Sequence, residues 1–256
     1  MIDPRAAIDP GATLAADVSV GPFAVIGPGV EIGAGTRIGP HAVIQGPSRI
    51  GRDNVIYQFA SVGERPQDKK YRGEDTWLEI GDRNQIREFT TLNRGTAQDR
   101  GVTRIGSDNL LMAYTHVAHD CVIGDNVILA NAASLGGHVE VEDWAILGGF
   151  AIVHQFCRIG AHSFAAMGSV IAKDVPPFVM IGGHPAHPHG LNLEGLRRRG
   201  YDDAAIRSLK RAYKQLYLSG LKLDEALQAI AAAQPDAAEV RQLLAFLQGG
   251  QRSLIR

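Results

Sequence analysis

Cysteine is scarce in this chain, with only Cys121 and Cys157 among 256 residues. No cationic excess exists either: 26 lysines and arginines face 27 aspartates and glutamates, a net charge of −1. A protein that coats nucleic acid carries a clear basic surplus, so a nucleic-acid partner is not expected, and any anionic ligand must be met locally. No apolar run approaches membrane-spanning length, and Met1-Ile2-Asp3-Pro4-Arg5 lacks the basic stretch and apolar core of a leader. Membrane insertion is therefore not expected, and a cytoplasmic location is. What remains is ordinary for a globular protein, 45% hydrophobic and 21% charged, and long enough for one large domain and a small one.

The informative presence is a period of six. Ile8, Leu14, Val20, Ile26, Ile32, Ile38, Ile44, Ile50, Ile56 and Val62 fall at successive sixth positions. The pattern resumes at Ile80, Ile86 and Leu92, and again from Ile105 through Leu111, Val117, Ile123, Leu129, Leu135, Val141, Leu147, Val153, Ile159 and Ala165 to Ile171. Of these twenty-five positions only Ala165 is not Ile, Leu or Val. A six-residue strand and turn cannot bury its aliphatic alone, but three of them make a triangular coil that stacks on the next. One coil of eighteen residues then advances by a strand spacing of about 4.8 Å. The fold class predicted is mainly β, a parallel β-helix of hexapeptide repeats over 1–187, followed by an α-helical domain over 188–256. In that frame the cysteines lie two coils apart, roughly 9 to 10 Å, too far for a disulfide, and are read as small buried thiols.

Two polar segments interrupt the frame, near 64–77 and 93–103. Val62 to Ile80 spans eighteen residues and keeps the phase; Leu92 to Ile105 spans thirteen, one more than two repeats. Both are expected to project from the rigid scaffold, where functional side chains are commonly carried. Beyond Asp174-Val175-Pro176-Pro177 the period ends. Ile206, Leu209, Tyr213, Leu216 and Tyr217 recur at helical spacing, an alanine-rich stretch covers Leu223 to Ala233, and an amphipathic run covers Pro235 to Leu247.

The frame also gathers histidines. Val117, Leu135 and Val153 stack at one corner in three consecutive coils, with His116 and His119 flanking the first, His138 after the second and His154 after the third. Imidazole suits a base near neutral pH. It equally suits zinc. On these residues alone, general acid/base catalysis and metal ligation both stand.

Several segments together carry a family resemblance: IGRDNVIYQFASVGE (Ile50 to Glu64), QDKKYRGE (Gln67 to Glu74), IGSDNLLM (Ile105 to Met112), HVAHDC (His116 to Cys121), VHQF (Val153 to Phe156), DVPP (Asp174 to Pro177) and NLEGLRRRG (Asn192 to Gly200). The chain resembles the UDP-N-acetylglucosamine O-acyltransferases of lipid A synthesis over essentially its whole length. The resemblance implies a left-handed coil and transfer of a 3-hydroxyacyl chain from acyl carrier protein to the 3-hydroxyl of UDP-N-acetylglucosamine. His119 would be the base, and Gly137 would offer a backbone N–H to the oxyanion. Asp120 would orient the imidazole, provided the local turn brings two adjacent side chains to one side. Gln67, Asp68 and Lys70 would meet the nucleotide sugar; His116, His138, His154 and Gln155 would position substrate. Asn192, Glu194, Arg198 and Arg199 would contact the nucleotide, where a guanidinium fork matches phosphate. No metal or redox cofactor is implied.

Met167, in GAHSFAAMGS, stands where members of that family that accept longer chains have glycine. Its unbranched side chain would shorten the accepted chain by roughly three or four methylenes, so a ten-carbon donor is expected over a fourteen-carbon one. Met167 belongs to another corner from His119, which fits the homotrimer that the resemblance implies, with clefts between subunits. The acidic carrier protein would meet basic residues within Arg197 to Arg211. A zinc hydrolase and a non-catalytic solenoid are the competing readings; the second leaves the inserted segments and the histidine corner unexplained.

Overall fold

The computed structural model describes every residue except Gln251. Its strands, mostly two residues long, form three sheets of nine, eight and ten strands, taken in turn by the chain. The first sheet runs from Ala7–Ile8 to Val170–Ile171, the second from Thr13–Leu14 to Arg158–Ile159, and the third from Ser19–Val20 through Phe164–Ala165 to a terminal hairpin. All pairs are parallel except Val179–Gly182 with His187–Leu191, which is antiparallel. Every strand therefore lies above the one a coil earlier, as the period of six requires. The register confirms it: Val117 pairs with Leu135, Leu135 with Val153 and Val153 with Ile171.

The frame aliphatics point inward, and all but Ile8 and Leu14 in the first coil are almost wholly buried, a buried Ile, Leu or Val contributing about 1.5–3 kcal/mol of transfer free energy. The core is not purely apolar. Asn54, Asn84 and Asn109 stack inside it, and each side-chain oxygen accepts the backbone N–H of the residue a coil above: Asn84, Asn109 and Val127. These bonds satisfy the buried amides, which would otherwise be costly. Corners between sheets are turned by residues in the left-handed region. Seventeen are not glycine, Asp120, His138, Phe156 and His162 among them, so the conformation belongs to the repeat rather than to local strain.

The inserted segments occupy 65–76, between strands Ser61–Glu64 and Trp77–Ile80, and 94–101, between Thr91–Asn93 and Val102–Ile105. Across the first, Val62 pairs with Leu92, thirty residues on; across the second, Leu92 pairs with Val117, twenty-five on. The six-residue phase is kept across the first and shifts by one residue across the second, and the aliphatics stay in register in both. Cys121 and Cys157 are free and buried, with Val139 at the intervening coil. Burial pushes their thiols up to about 12 and about 11, so neither is a thiolate near neutral pH.

Strand His187–Leu191 spans the expected hand-over at 187–188. Four helices follow: α1 (Leu193–Arg198), α2 (Asp203–Tyr217), α3 (Leu223–Ala233) and α4 (Ala238–Gln248). The Asn192 side chain caps α1 and Asp202 caps α2, each accepting a backbone N–H of the first turn. Leu209, Ala212 and Leu216 of α2, Ala226 and Ile230 of α3, and Val240 and Leu243 of α4 form a second core with Leu196 and Phe178. The chain end then returns to the coil, where Asp174 exchanges backbone hydrogen bonds with Ser253 and Ile255.

Candidate active site

The corner joining the first sheet to the second holds the predicted base and its nearest neighbours. Strand His116–Val117 ends there, and Asp120 turns the chain with φ +59°. Along an extended strand His119 and Asp120 would face opposite ways. The left-handed turn brings them together, and His119 Nδ1 donates to Asp120 Oδ2 at 2.9 Å. An ionised carboxylate can only accept, so the Nδ1 proton is assigned from this bond. In the neutral ring this tautomer leaves the lone pair on Nε2.

Asp120 has no exposed surface. Burial alone would raise its pKa, but hydrogen bonds from His119, the Thr96 hydroxyl and the Thr96 backbone outweigh it and hold the carboxyl below its ordinary value. One coil above, His138 also sits in a left-handed turn. Its ring meets His119 edge to face at 5.0 Å between centroids, and its Nδ1 donates to Asp99 Oδ2 at 2.6 Å. Phe156, a further coil above, stacks on His138 at 4.3 Å.

Gly137 lies against the His119 ring. A Cβ there would come within 2.6 Å of His119 Cε1 and 2.8 Å of Nε2, so only glycine leaves the imidazole in place. Its carbonyl accepts from Phe156 N at 3.1 Å, while its N–H donates to no acceptor among the described residues. A cavity of about 620 Å³ opens beside this corner, lined by Asp68 and Lys70 from the first insertion, Thr96 and Asp99 from the second, and His138 and Phe156 from the coil.

Of the predicted site residues, the structure thus brings His119, Asp120, Gly137 and His138 together, with Asp68 and Lys70 across the cavity. His116 is on the first sheet's outer face, bonded through Nδ1 to Thr91 Oγ1 at 2.7 Å; burial, then the neighbouring His119, lower its pKa. His154 and Gln155 are exposed at the same corner two coils above His119, and Gln67 is exposed on the first insertion. The others lie elsewhere. Asn192 donates to the His162 carbonyl, and the Arg199 guanidinium lies 5.1 Å from the Trp144 ring centre, both at the corner between second and third sheets. Glu194 and Arg198 pair at 2.9 Å on the exposed side of α1. Met167, 80% exposed, is at the third corner.

Sequence reasoning missed Thr96, Thr103, Asp99 and Phe156. The signal for Phe156 was there, since Asp120, His138 and Phe156 are spaced by eighteen. His119, Asp120 and His138 present ligand atoms within 4.8 Å of one another and could hold a metal ion. In the structure each is engaged instead by hydrogen bonds, to one another, to Thr96 or to Asp99.

Comparison with known proteins bears on this geometry. A family model described as Udp N-acetylglucosamine O-acyltransferase, domain 2, matches residues 174–255, and one of bacterial transferase hexapeptide repeats matches 11–46 and 103–137. An acyl-(acyl-carrier-protein)–UDP-N-acetylglucosamine O-acyltransferase of Thiobacillus denitrificans is 60% identical over 255 residues, covering 100% of this chain and 99% of the relative. Its counterpart in Halorhodospira halophila is 58% identical with the same coverage. Among solved structures, LpxA from Acinetobacter baumannii superposes with a TM-score of 0.98 at 48% identity, covering 100% of this chain and 99% of that one. The UDP-N-acetylglucosamine acyltransferase of Bacteroides fragilis gives 0.98 at 40% identity, covering 100% of both chains. The coil is the left-handed parallel β-helix of this group.

Proposed function

The chain belongs to the acyl-(acyl-carrier-protein)–UDP-N-acetylglucosamine O-acyltransferase family, which catalyses the first step of lipid A biosynthesis, and from that premise we propose that His119 is the general base of the transfer. The acyl donor is a (R)-3-hydroxyacyl thioester of acyl carrier protein and the acceptor is the sugar 3-hydroxyl of UDP-N-acetylglucosamine. His119 Nε2 takes the hydroxyl proton as the oxygen attacks the thioester carbonyl. The tetrahedral oxyanion accepts from the Gly137 N–H, and collapse expels the thiolate, which recovers the proton from His119. The observation that carries this reading is the buried Asp120 carboxylate on His119 Nδ1, which fixes the tautomer with Nε2 free. An activated thioester needs a base, an oriented nucleophile and an oxyanion donor, which these residues supply.

His138, with its Nδ1 on Asp99, and His116 position the acceptor, and Gln67, Asp68 and Lys70 hold its phosphosugar. Asn192, Glu194, Arg198 and Arg199 serve the nucleotide, with His154 and Gln155 lining its approach. That these groups occupy different corners of one prism supports a homotrimer with sites between neighbouring chains. So does the third corner's outer face. Phe23, His41, Phe59, Phe89 and Tyr114 form a stacked, largely exposed ladder there, continued by Phe150, Ile152 and Met167, an exposed apolar stripe of the kind found at subunit interfaces. Met167, exposed rather than packed between coils, ends the acyl channel and limits the chain to about ten carbons. Among the described residues no helix is long and apolar enough to cross a membrane, and a cytoplasmic location follows from the carrier-bound donor. Arg207 and Lys210, exposed on α2, suit the acidic carrier protein.

One transfer assay tests both finer claims, using UDP-N-acetylglucosamine with ten- and fourteen-carbon 3-hydroxyacyl carrier proteins. The wild type should prefer the shorter donor, and His119→Ala, folded by circular dichroism, should lose about 10²-fold or more in turnover with either. Preference for fourteen carbons sinks the ruler; an active His119→Ala sinks the base.

A further inference from the structure

We infer that Thr96, on the second inserted segment, is a positioning residue for acyl transfer, holding the Asp120 carboxylate in the orientation that fixes His119. The inference rests on the reading of His119 as the base. Strand Thr91–Asn93 pairs with His116–Val117 above it, and Val102–Ile105 pairs with Val122–Ile123. Segment 94–101 therefore leaves and re-enters its coil directly beneath the His119–Asp120 turn. Thr96 ties it to that turn, while Asp99 and Arg100 bond His138 and Glu140 in the coil above. The Thr96 N–H points at both carboxylate oxygens, at 3.0 and 3.1 Å, and Thr96 Oγ1 donates to Asp120 Oδ2 at 2.6 Å. Thr103, where the segment rejoins the coil, receives the Asp120 N–H on Oγ1 at 2.8 Å.

Asp120 has no exposed surface and Thr96 is 1% exposed, so no solvent stands in for these donors. With the His119 bond alone, the carboxylate would be a desolvated charge with most of its acceptor capacity unused, free to rotate about its side-chain bonds. The two Thr96 donors restrict it, and the Oδ2 that takes the hydroxyl also takes His119 Nδ1. Thr96 makes no bond to His119 itself, so it acts through Asp120. The second insertion thus does more than wall the cavity: it completes the support of the base.

The test is a set of steady-state measurements on the full-length enzyme. Thr96→Val keeps the shape and the backbone N–H but deletes the hydroxyl; it should lower kcat about tenfold, with KM for UDP-N-acetylglucosamine within about twofold. Thr96→Ser, which restores the donor, should return to within about threefold of wild type. In an Asp120→Asn background, Thr96→Val should add less than about twofold, because both act on one contact. If Thr96→Val does not fold, Thr96→Cys replaces it, with a weaker donor and a smaller expected loss. Wild-type kcat in Thr96→Val, a rise confined to KM, failure of serine to rescue, or losses that multiply with Asp120→Asn would each overturn the inference. An active His119→Ala would overturn the base reading itself, whereas an inactive His119→Ala beside an unaffected Thr96→Val would overturn only the role of Thr96.

Discussion

His138 and His162 occupy the same kind of place in the repeat. Each turns a corner with positive φ, +63° and +58°, and each has aromatic rings in the adjoining coils. His138 stacks on Phe156 at 4.3 Å; His162 lies between Trp144 at 6.3 Å and Phe178 at 5.6 Å. Their other neighbours differ. His138 Nδ1 meets Asp99 at 2.6 Å and lies 4.0 Å from Asp120, whereas His162 faces Arg199 at 3.4 Å and Tyr201 at 3.2 Å. Burial, then the Arg199 charge, pushes His162 down to about 4, so it is neutral under ordinary conditions. One backbone slot thus yields a polar imidazole on a cavity and an inert one in a stack. An inserted segment bearing the Asp99 carboxylate makes the first; the helical domain covering the corner makes the second.

The comparison breaks most sharply at Gly137, which no equivalent contact at the His162 corner mirrors. Gly137→Ala should lower kcat by about 10²-fold or more, because the new methyl displaces His119 and crowds the oxyanion position while the fold persists. Comparable activity in the alanine variant would mean that the oxyanion and the imidazole lie elsewhere. A smaller effect is expected from His138→Phe, which gives the first corner the apolar character of the second. Phenylalanine already occupies such left-handed turns at Phe150, Phe156 and Phe178, and the new ring would stack on Phe156. Melting temperature should stay within a few degrees while kcat/KM falls about tenfold or more. A fall in stability with intact kcat/KM would make His138 a packing residue.

What the sequence made legible follows from periodicity. Inward aliphatics at every sixth position set the coil and the register, with the phase kept across the first insertion and shifted by one residue across the second, and eighteen-residue spacing placed His138 above the His119 turn. Helical spacing placed α2, α3 and α4. Orientation within corners was not legible: alternation of side chains holds along a strand, but Asp120 is in a left-handed turn, and only coordinates show its carboxylate turned to His119. Thr96 reaches Asp120 across an insertion that has no repeat to index it. Asn192 and Arg199 lie beyond the last coil, and their corner depended on how the helical domain docks against Trp144 and His162.

The smallest expected effect is at His162 and appears only in acid. Its pKa is about 4 in the folded chain against about 6.5 for a free histidine. The unfolded chain therefore binds more protons between those values, and stability present above pH 6.5 is lost as pH falls toward 4. His162→Phe keeps a ring between Trp144 and Phe178 and removes the titration. Its melting temperature at pH 7 should be close to wild type or slightly lower, since the contacts to Arg199 and Tyr201 go. Between pH 6.5 and 4 it should fall less steeply than that of the wild type. Half-buried Glu142 and buried Asp174, whose pKa values desolvation raises, titrate in both proteins and cancel in the difference. Parallel pH dependences would show that His162 is solvated enough to protonate in place, and the contrast between the two corners would then lie in their partners rather than in burial.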